Sequence, residues 1–124
     1  MSAPSGPRVL LVDDAFAARI TLGALLEDAG YQVAEAESVA EGRLKIGVGQ
    51  YDLAIVDLHL TDGLGSELIP DLLRDQPQAV IVMLSGDDPQ PISGVAMFLT
   101  KAAAPDDMLR QLQSALGRTR AVES

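Results

Sequence analysis

The sequence contains no cysteine, a single histidine and only nine basic residues among its 124. Without cysteine, a disulfide framework and a thiolate metal site are both excluded. The lone histidine, His59, does not match the ligand sets of zinc sites, which combine several His or Cys side chains. The basic residues are scattered among eighteen acidic ones, giving a net charge of −9, and this argues against a nucleic-acid surface.

Long apolar runs are also missing from the sequence. No run approaches the roughly 18 residues of a membrane span, and residues 1–7 lack the charged start and apolar stretch of a signal peptide. We therefore expect a cytoplasmic protein that contacts neither membrane nor nucleic acid. The acidic balance instead favours a cationic ligand such as a divalent metal.

The chain has enough apolar residues for one folded domain. Hydrophobic residues make up 48% of the sequence, so a core can form without help from metal or disulfides. The two ends are polar or contain Pro and Gly, which is typical of frayed termini. We predict a flexible extension over residues 1–7, one domain over residues 8–117 and a flexible tail over residues 118–124.

Strand and helix patterns alternate along this domain, which predicts an α/β fold with a parallel sheet. The predicted strands are Arg8–Val12, Tyr31–Ala36, Leu53–Val56, Ala79–Leu84 and Met97–Leu99. The predicted helices run from after Asp14 to a cap at Gly30, from Ser38 to Gly47 or Gly49, around Leu68–Leu73 with an irregular start at Pro70, and from Pro105 to Gly117. Thr61–Gly65 is predicted to be a glycine-containing loop.

Four of the apolar runs stop at a residue suited to phosphoryl chemistry. These residues are Asp13 with Asp14, then Asp57, Ser85 and Lys101. Because the carboxyl ends of parallel strands share one crevice, we expect the five side chains to meet there. Taken singly, each has a simpler interpretation; Asp14, for example, also suits the N-cap of the first helix.

The carboxylates at these positions suggest a specific reaction. Asp57 is ionised near pH 7 and can attack phosphorus without a general base, giving an aspartyl phosphate. Asp13 and Asp14 cannot sit beside it unaided, because like charges about 4 Å apart repel by roughly 4 kcal/mol at an effective dielectric of 20. A hard divalent cation such as Mg²⁺ would relieve that repulsion.

The ordered set of motifs resembles the receiver domains of bacterial two-component response regulators, from about Arg8 to Leu116. The motifs are Asp13-Asp14, the segment VDLHLTDG that contains Asp57, Ser85-Gly86, and FLTK ending at Lys101. The resemblance implies a flavodoxin-like, doubly wound sheet of five parallel strands in the order 2-1-3-4-5. It also implies a signalling switch that, at most, catalyses its own phosphorylation and dephosphorylation.

The resemblance assigns a role to each site residue. It makes Asp57 the phosphoacceptor, with Lys101 and Ser85 contacting the phosphoryl oxygens, and Ser85 with Phe98 forming the switch. The implied cofactor is Mg²⁺, held by Asp13, Asp14, Asp57 and the backbone carbonyl of His59. The implied partners are a histidine kinase or phosphotransfer protein, which supplies the phosphoryl group, and a downstream protein target.

The chain also departs from the receiver pattern. Ala102 replaces the usual proline after the lysine, and the stretch after Asp87 has room for at most about two turns of poor helix, so we expect a short or irregular fourth helix. Three alternatives stay open: a degenerate receiver acting as a constitutive interaction module, a small aspartate-nucleophile phosphatase and, with less support, a flavin-binding protein of the same topology.

Overall fold

The computed structural model describes the backbone of residues 6–86 and 91–123 and the side-chain surroundings up to residue 116. The strands in these ranges are β1 (Arg8–Val12), β2 (Gln32–Ala36), β3 (Leu53–Asp57), β4 (His59–Leu60), β5 (Gly63–Leu64), β6 (Val80–Ser85) and β7 (Met97–Thr100). The helices are α1 (Phe16–Asp28), α2 (Val39–Val48), α3 (Ile69–Asp75) and α4 (Pro105–Glu123), with a 3-10 turn over Gly65–Leu68.

Five of the strands form one parallel sheet in the order β2-β1-β3-β6-β7. Counted among themselves these strands have the order 2-1-3-4-5, so the predicted fold class is confirmed. The remaining two strands pair antiparallel as a small hairpin, with His59 opposite Leu64 and Leu60 opposite Gly63. The predicted loop over Thr61–Gly65 is therefore wrong in part, because its residues belong to this β4–β5 hairpin and to the 3-10 turn.

The core consists of two layers, one on each face of the sheet. Val9 and Leu11 of β1 pack with the layer that includes α1 and α4, whereas Leu10 and Val12 pack with the layer under α2 and α3. Alternate residues of a strand point to opposite faces, so a strand covered on both faces needs a continuous apolar run. Each fully buried aliphatic side chain contributes roughly 2 kcal/mol of burial free energy.

The helix boundaries follow their capping residues. The hydroxyl of Ser38 accepts the Glu41 backbone N–H at 3.0 Å and starts α2, as predicted from the Ser-to-Glu spacing. Gly49 caps its end. Gly30 follows α1 with a φ of 100°, a conformation that glycine adopts without the Cβ penalty of other residues. Pro70 lies in the first turn of α3, directly after the 3-10 turn, so the predicted irregular start is also confirmed.

Helix α4 is longer than predicted. It begins at Pro105, as expected, but continues through Gly117 to Glu123, so the predicted end at Gly117 is wrong. Glycine costs only about 1 kcal/mol in a helix interior, and no proline follows it here. The domain bounds and the flexibility expected for residues 1–7 and 118–124 stay predictions, and residues 1–5 and 124 lie outside the described residues.

The connection from β6 to β7 contains no helix in its described part, residues 91–96. The other part of the predicted short or irregular fourth helix, residues 87–90, lies outside the described residues. Ile92 and Val95 pack against the α3 side of the core, and the Ala96 N–H donates to the Ile81 carbonyl at 2.8 Å. Across the described ranges, no helix has both the length and the apolar character needed to cross a bilayer.

A buried arginine joins α1 to the first two strands. Arg19 is 8% exposed; its Nε donates to Glu35 Oε1 at 2.9 Å and its Nη1 donates to the Asp13 carbonyl at 2.7 Å. Its guanidinium also lies 5.5 Å from the centre of the Phe16 ring. The arginine fork thereby ties the segment that follows β1 to the end of β2.

We expect Arg19→Met to lower the free energy of unfolding by about 2 kcal/mol, because it leaves a buried carbonyl without a donor and breaks a partly buried ion pair. Urea unfolding measures this change. Glu35→Gln, which keeps an acceptor for Nε, is the matched control and should cost less than about 1 kcal/mol. An Arg19→Met protein as stable as the wild type would contradict this account.

The β4–β5 hairpin caps a helix that lies far from it in sequence. The Asp62 carboxylate accepts the N–H groups of Val39 at 2.8 Å and Ala40 at 3.1 Å, in the first turn of α2. These two hydrogen bonds hold the pKa of Asp62 below its ordinary value. Asp62 thus adds to the cap provided by Ser38 and fixes the hairpin against α2.

A pH-dependent contribution to stability follows from this lowered pKa. The contribution is complete above the unfolded-state pKa of Asp, about 3.9, and disappears as the pH falls through the lower folded-state value. We expect Asp62→Ala to reduce the free energy of unfolding at neutral pH, with a difference from wild type that shrinks below about pH 4. Urea unfolding across this pH range, with Asp62→Asn as the uncharged control, measures it. A difference that does not vary with pH would contradict the prediction.

Candidate functional site

The predicted site residues meet at the carboxyl edge of the sheet. Val12 of β1 pairs with Val56 of β3, so the residues that follow, Asp13 and Asp57, lie side by side. Asp57 in turn pairs with Leu84 of β6, which places Ser85 one residue further along. The Lys101 backbone N–H donates to the Ser85 carbonyl at 3.0 Å. Strand register alone therefore gathers these side chains.

Three carboxylates form the centre of the site. Oxygen atoms of Asp13, Asp14 and Asp57 all lie within 4.8 Å of one another. Asp13 and Asp57 are buried, with 4% and 0% of their surface exposed, while Asp14 is exposed. Each like-charged pair at this separation repels by at least about 3 kcal/mol at an effective dielectric of 20. This repulsion destabilises the folded protein unless a cation lies near the cluster.

Lys101 partly neutralises the cluster. Its Nζ forms an ion pair with Asp57 Oδ2, and its side chain is 38% exposed, so the ammonium covers the buried carboxylate from the solvent side. The other Asp57 oxygen, Oδ1, accepts the His59 N–H at 3.1 Å. The single positive charge of this lysine does not neutralise three carboxylates.

The pKa of Asp13 is raised above its ordinary value, mainly by burial. Burial raises this pKa above its ordinary value, and the charge of the neighbouring Asp57 raises it further. The Ala15 N–H, which donates to Asp13 Oδ1 at 2.9 Å, and the Lys101 charge act in the opposite direction. The net upward shift means that the charged form of Asp13 is disfavoured in this site, and a nearby positive charge would oppose that shift.

The donor set fits a hard divalent cation. All three clustered side chains offer carboxylate oxygens, which are the ligands that Mg²⁺ and Ca²⁺ prefer. The exposed Asp14 provides an approach from solvent, and few protein ligands leave room for waters and a substrate oxygen. Divalent-cation binding is the property that this geometry supports.

A close backbone approach shapes the floor of the site. A Cβ atom on Gly65 would lie 2.0 Å from the Asp57 carbonyl oxygen, which is far inside van der Waals contact. The Gly65 N–H donates to the Leu58 carbonyl at 2.7 Å. Only glycine allows the chain to return this close to the Asp57 backbone.

The other predicted site residues occupy different surroundings. Ser85 is 3% exposed at the end of β6. The His59 side chain is exposed at the start of β4. Phe98 lies within β7, opposite Met83, and packs half-buried against the α3 side of the core. The structure therefore groups Ser85 with the acidic cluster, while the switch role of Phe98 and the use of the His59 carbonyl stay predictions.

Two contacts were missed by the sequence patterns. Asp14 does not cap α1, whose N-cap is Ala15 without a side-chain hydrogen bond; instead, Asp14 Oδ2 accepts the Thr61 hydroxyl at 2.9 Å. Arg19 holds the Asp13 carbonyl. The contact of Arg19 with the Asp13 carbonyl had a sequence signal, because an arginine lies one turn into the helix that follows two aspartates. The contact of Thr61 with Asp14 had no such signal, because 47 positions separate the two residues.

Comparison with known proteins gives a consistent result. The sequence family described as the response regulator receiver domain matches residues 9–113. The transcriptional regulatory protein GlrR of Escherichia coli is 33% identical over 114 residues, which cover 87% of this chain and 26% of GlrR. The chain thus spans about a quarter of the length of this curated relative.

Two solved structures are similar over nearly the whole chain. A CheY-like receiver domain protein from Methanospirillum hungatei has a TM-score of 0.85 and 28% identity, covering 94% of this chain and 98% of its own. A response regulator from Burkholderia pseudomallei, solved with a phosphorylated aspartic acid, a calcium ion and citrate, has a TM-score of 0.76 and 30% identity, with coverage of 95% and 73%. The chain belongs to the response regulator receiver domain family of two-component signalling.

Proposed function

We propose that the chain is a phosphorylation-controlled switch that accepts a phosphoryl group on Asp57 in a Mg²⁺-dependent reaction and thereby changes its binding to a partner protein. The observation that carries the proposal is the contact between a buried aspartate and an exposed lysine inside a cluster of three carboxylates. Phosphoryl transfer depends mainly on positioning and on charge stabilisation, and this cluster offers both. The phosphorylated aspartate and the calcium ion of the Burkholderia pseudomallei relative support the same chemistry.

The proposed donor is the phosphohistidine of a sensor kinase or phosphotransfer protein. An oxygen of the Asp57 carboxylate forms a bond to phosphorus as the phosphorus–nitrogen bond breaks. The electron pair of that bond stays with the imidazole, which leaves neutral because its ring carries one proton. A carboxylate nucleophile needs no general base, because it has no proton to lose when the new bond forms. This transfer and the later hydrolysis by water are the only reactions that we assign to the chain.

The residues around Asp57 have complementary roles in this proposal. Asp13, Asp14, Asp57 and the His59 carbonyl would hold Mg²⁺, which when bound neutralises charge on the carboxylates and the transferred group. Lys101 forms an ion pair with Asp57. After transfer its ammonium would contact the phosphoryl oxygens instead and stabilise their negative charge.

The readout would pass through β6 and β7. Ser85, buried beside Lys101 at the end of β6, would donate its hydroxyl to a phosphoryl oxygen. Phe98, half-buried on the neighbouring strand, would then repack. These movements would connect two conformations in equilibrium, one before and one after Ser85 moves. Phosphorylation shifts this equilibrium only if the phosphoryl group interacts better with one of the two conformations. The hydrogen bond from Ser85 would supply that difference.

A surface beside the site suits a protein donor. Phe16 and Ile20 on α1 are 68% and 43% exposed, although both are large and apolar. A mostly apolar cavity of about 360 Å³ is lined by Thr21 of α1 and Met108 of α4 and reaches Asp13 and Lys101. An exposed apolar patch around a polar site is typical of a protein interaction surface.

We expect one added phosphoryl group per chain when the protein is incubated with Mg²⁺ and acetyl phosphate and measured promptly as intact mass. Asp57→Asn should gain none, because an amide oxygen is a poor nucleophile. Lys101→Met should be labelled at least about tenfold more slowly, since it removes a transition-state charge.

The outcomes separate the alternatives. Labelling of wild type that depends on both Mg²⁺ and Asp57 supports the switch. Continuous release of phosphate at many turnovers per chain would instead indicate a phosphatase. The absence of both labelling and Mg²⁺ binding would contradict the proposal and favour a constitutive interaction module.

A further inference from the structure

The hydroxyl of Thr61 is in direct contact with the most exposed carboxylate of the site. Thr61 lies in the turn of the β4–β5 hairpin, and its Oγ1 donates to Asp14 Oδ2 at 2.9 Å. Asp13 and Asp57, in contrast, are held by backbone N–H groups, and Asp57 also by Lys101. Within the described ranges, Thr61 is the hydrogen-bond donor to the Asp14 carboxylate.

The hairpin holds Thr61 in place from several sides. The next residue, Asp62, accepts two N–H groups of α2. The preceding residue, Leu60, is 8% exposed and belongs to the core layer that contains Val39. The strand pairing between His59 and Leu64 closes the hairpin. Thr61 is itself exposed, yet its backbone is fixed by its neighbours, so its hydroxyl is presented at a defined place.

A hydroxyl fixed in this way restricts how the Asp14 carboxylate can rotate. A hydrogen bond to Oδ2 leaves Oδ1 available to a cation and removes rotational freedom that metal binding would otherwise have to remove. Hydrogen bonds from neighbouring groups that orient a metal-ligating side chain usually change metal affinity by about tenfold or more when lost. The exposed position of Thr61 places the expected effect at the lower end of that range.

We propose that Thr61 is a positioning residue for divalent-cation binding: its hydroxyl orients Asp14, and the Asp62 contact with α2 holds the hairpin that presents this hydroxyl. The inference rests on the proposed function, because it takes Asp14 to be a ligand of the cation. It adds a residue outside the carboxylate cluster to the determinants of affinity, and it gives the β4–β5 hairpin a role in the chemistry of the site.

The test is calorimetric titration of the full chain with MgCl₂ at constant ionic strength, using Thr61→Val and Thr61→Ser. Valine has nearly the shape of threonine but no donor, whereas serine keeps the hydroxyl. We expect Thr61→Val to weaken Mg²⁺ binding about tenfold and Thr61→Ser to bind within about twofold of wild type. The unfolding midpoint of each variant without metal should stay close to that of wild type, because the side chain is exposed.

Each outcome decides a separate point. Equal Mg²⁺ affinity of wild type and Thr61→Val would overturn the role of Thr61 and leave the proposed function intact. Equal weakening in both variants would also overturn it, since the hydroxyl would then not be the determinant. Wild type that binds no Mg²⁺ would overturn the proposed function and this inference together.

Discussion

Mutual repulsion among three carboxylates is the constraint on which the rest of the structure depends. Asp13, Asp14 and Asp57 are brought within 4.8 Å of one another at one edge of the sheet, and two of them are buried. Such an arrangement persists in a folded protein only when the scaffold enforces it and positive charge offsets it. Lys101 supplies one charge directly, and in the proposed function a divalent cation would supply the balance. The same unfavourable field favours the binding of a cation at this edge of the sheet.

The scaffold enforces this arrangement through contacts that lie around the cluster. Strand register sets Asp13 beside Asp57, and the glycine at position 65 allows the chain to pass beneath the Asp57 carbonyl. Arg19 holds the Asp13 carbonyl, and Thr61 holds Asp14. These contacts fix the backbone beside Asp13 and the Asp14 side chain, and the Thr61 hydrogen bond leaves Oδ1 of Asp14 available to a cation. A preorganised site of this kind reacts with little rearrangement.

The sequence predicted the sheet and the membership of the site because both follow from short-range patterns. Apolar runs buried on two faces mark parallel strands, and such strands end at one common edge. Contacts made across the fold left no such pattern. Arg19 is buried in α1 although it is charged, because Glu35 and the Asp13 carbonyl are present to pair with it. The β4–β5 hairpin has strands of two residues, too short for any periodicity. The end of α4 was misjudged because a single glycine weakens a helix without ending it.

The most direct test of the central claim is the thermal unfolding midpoint of the chain as a function of Mg²⁺ concentration at constant ionic strength. If the carboxylate cluster binds the cation in the folded state only, stability rises by about 1.4 kcal/mol for each tenfold increase above the dissociation constant. The account predicts this rise for wild type and its reduction in Asp14→Asn. A wild-type midpoint that does not respond to Mg²⁺ would contradict it.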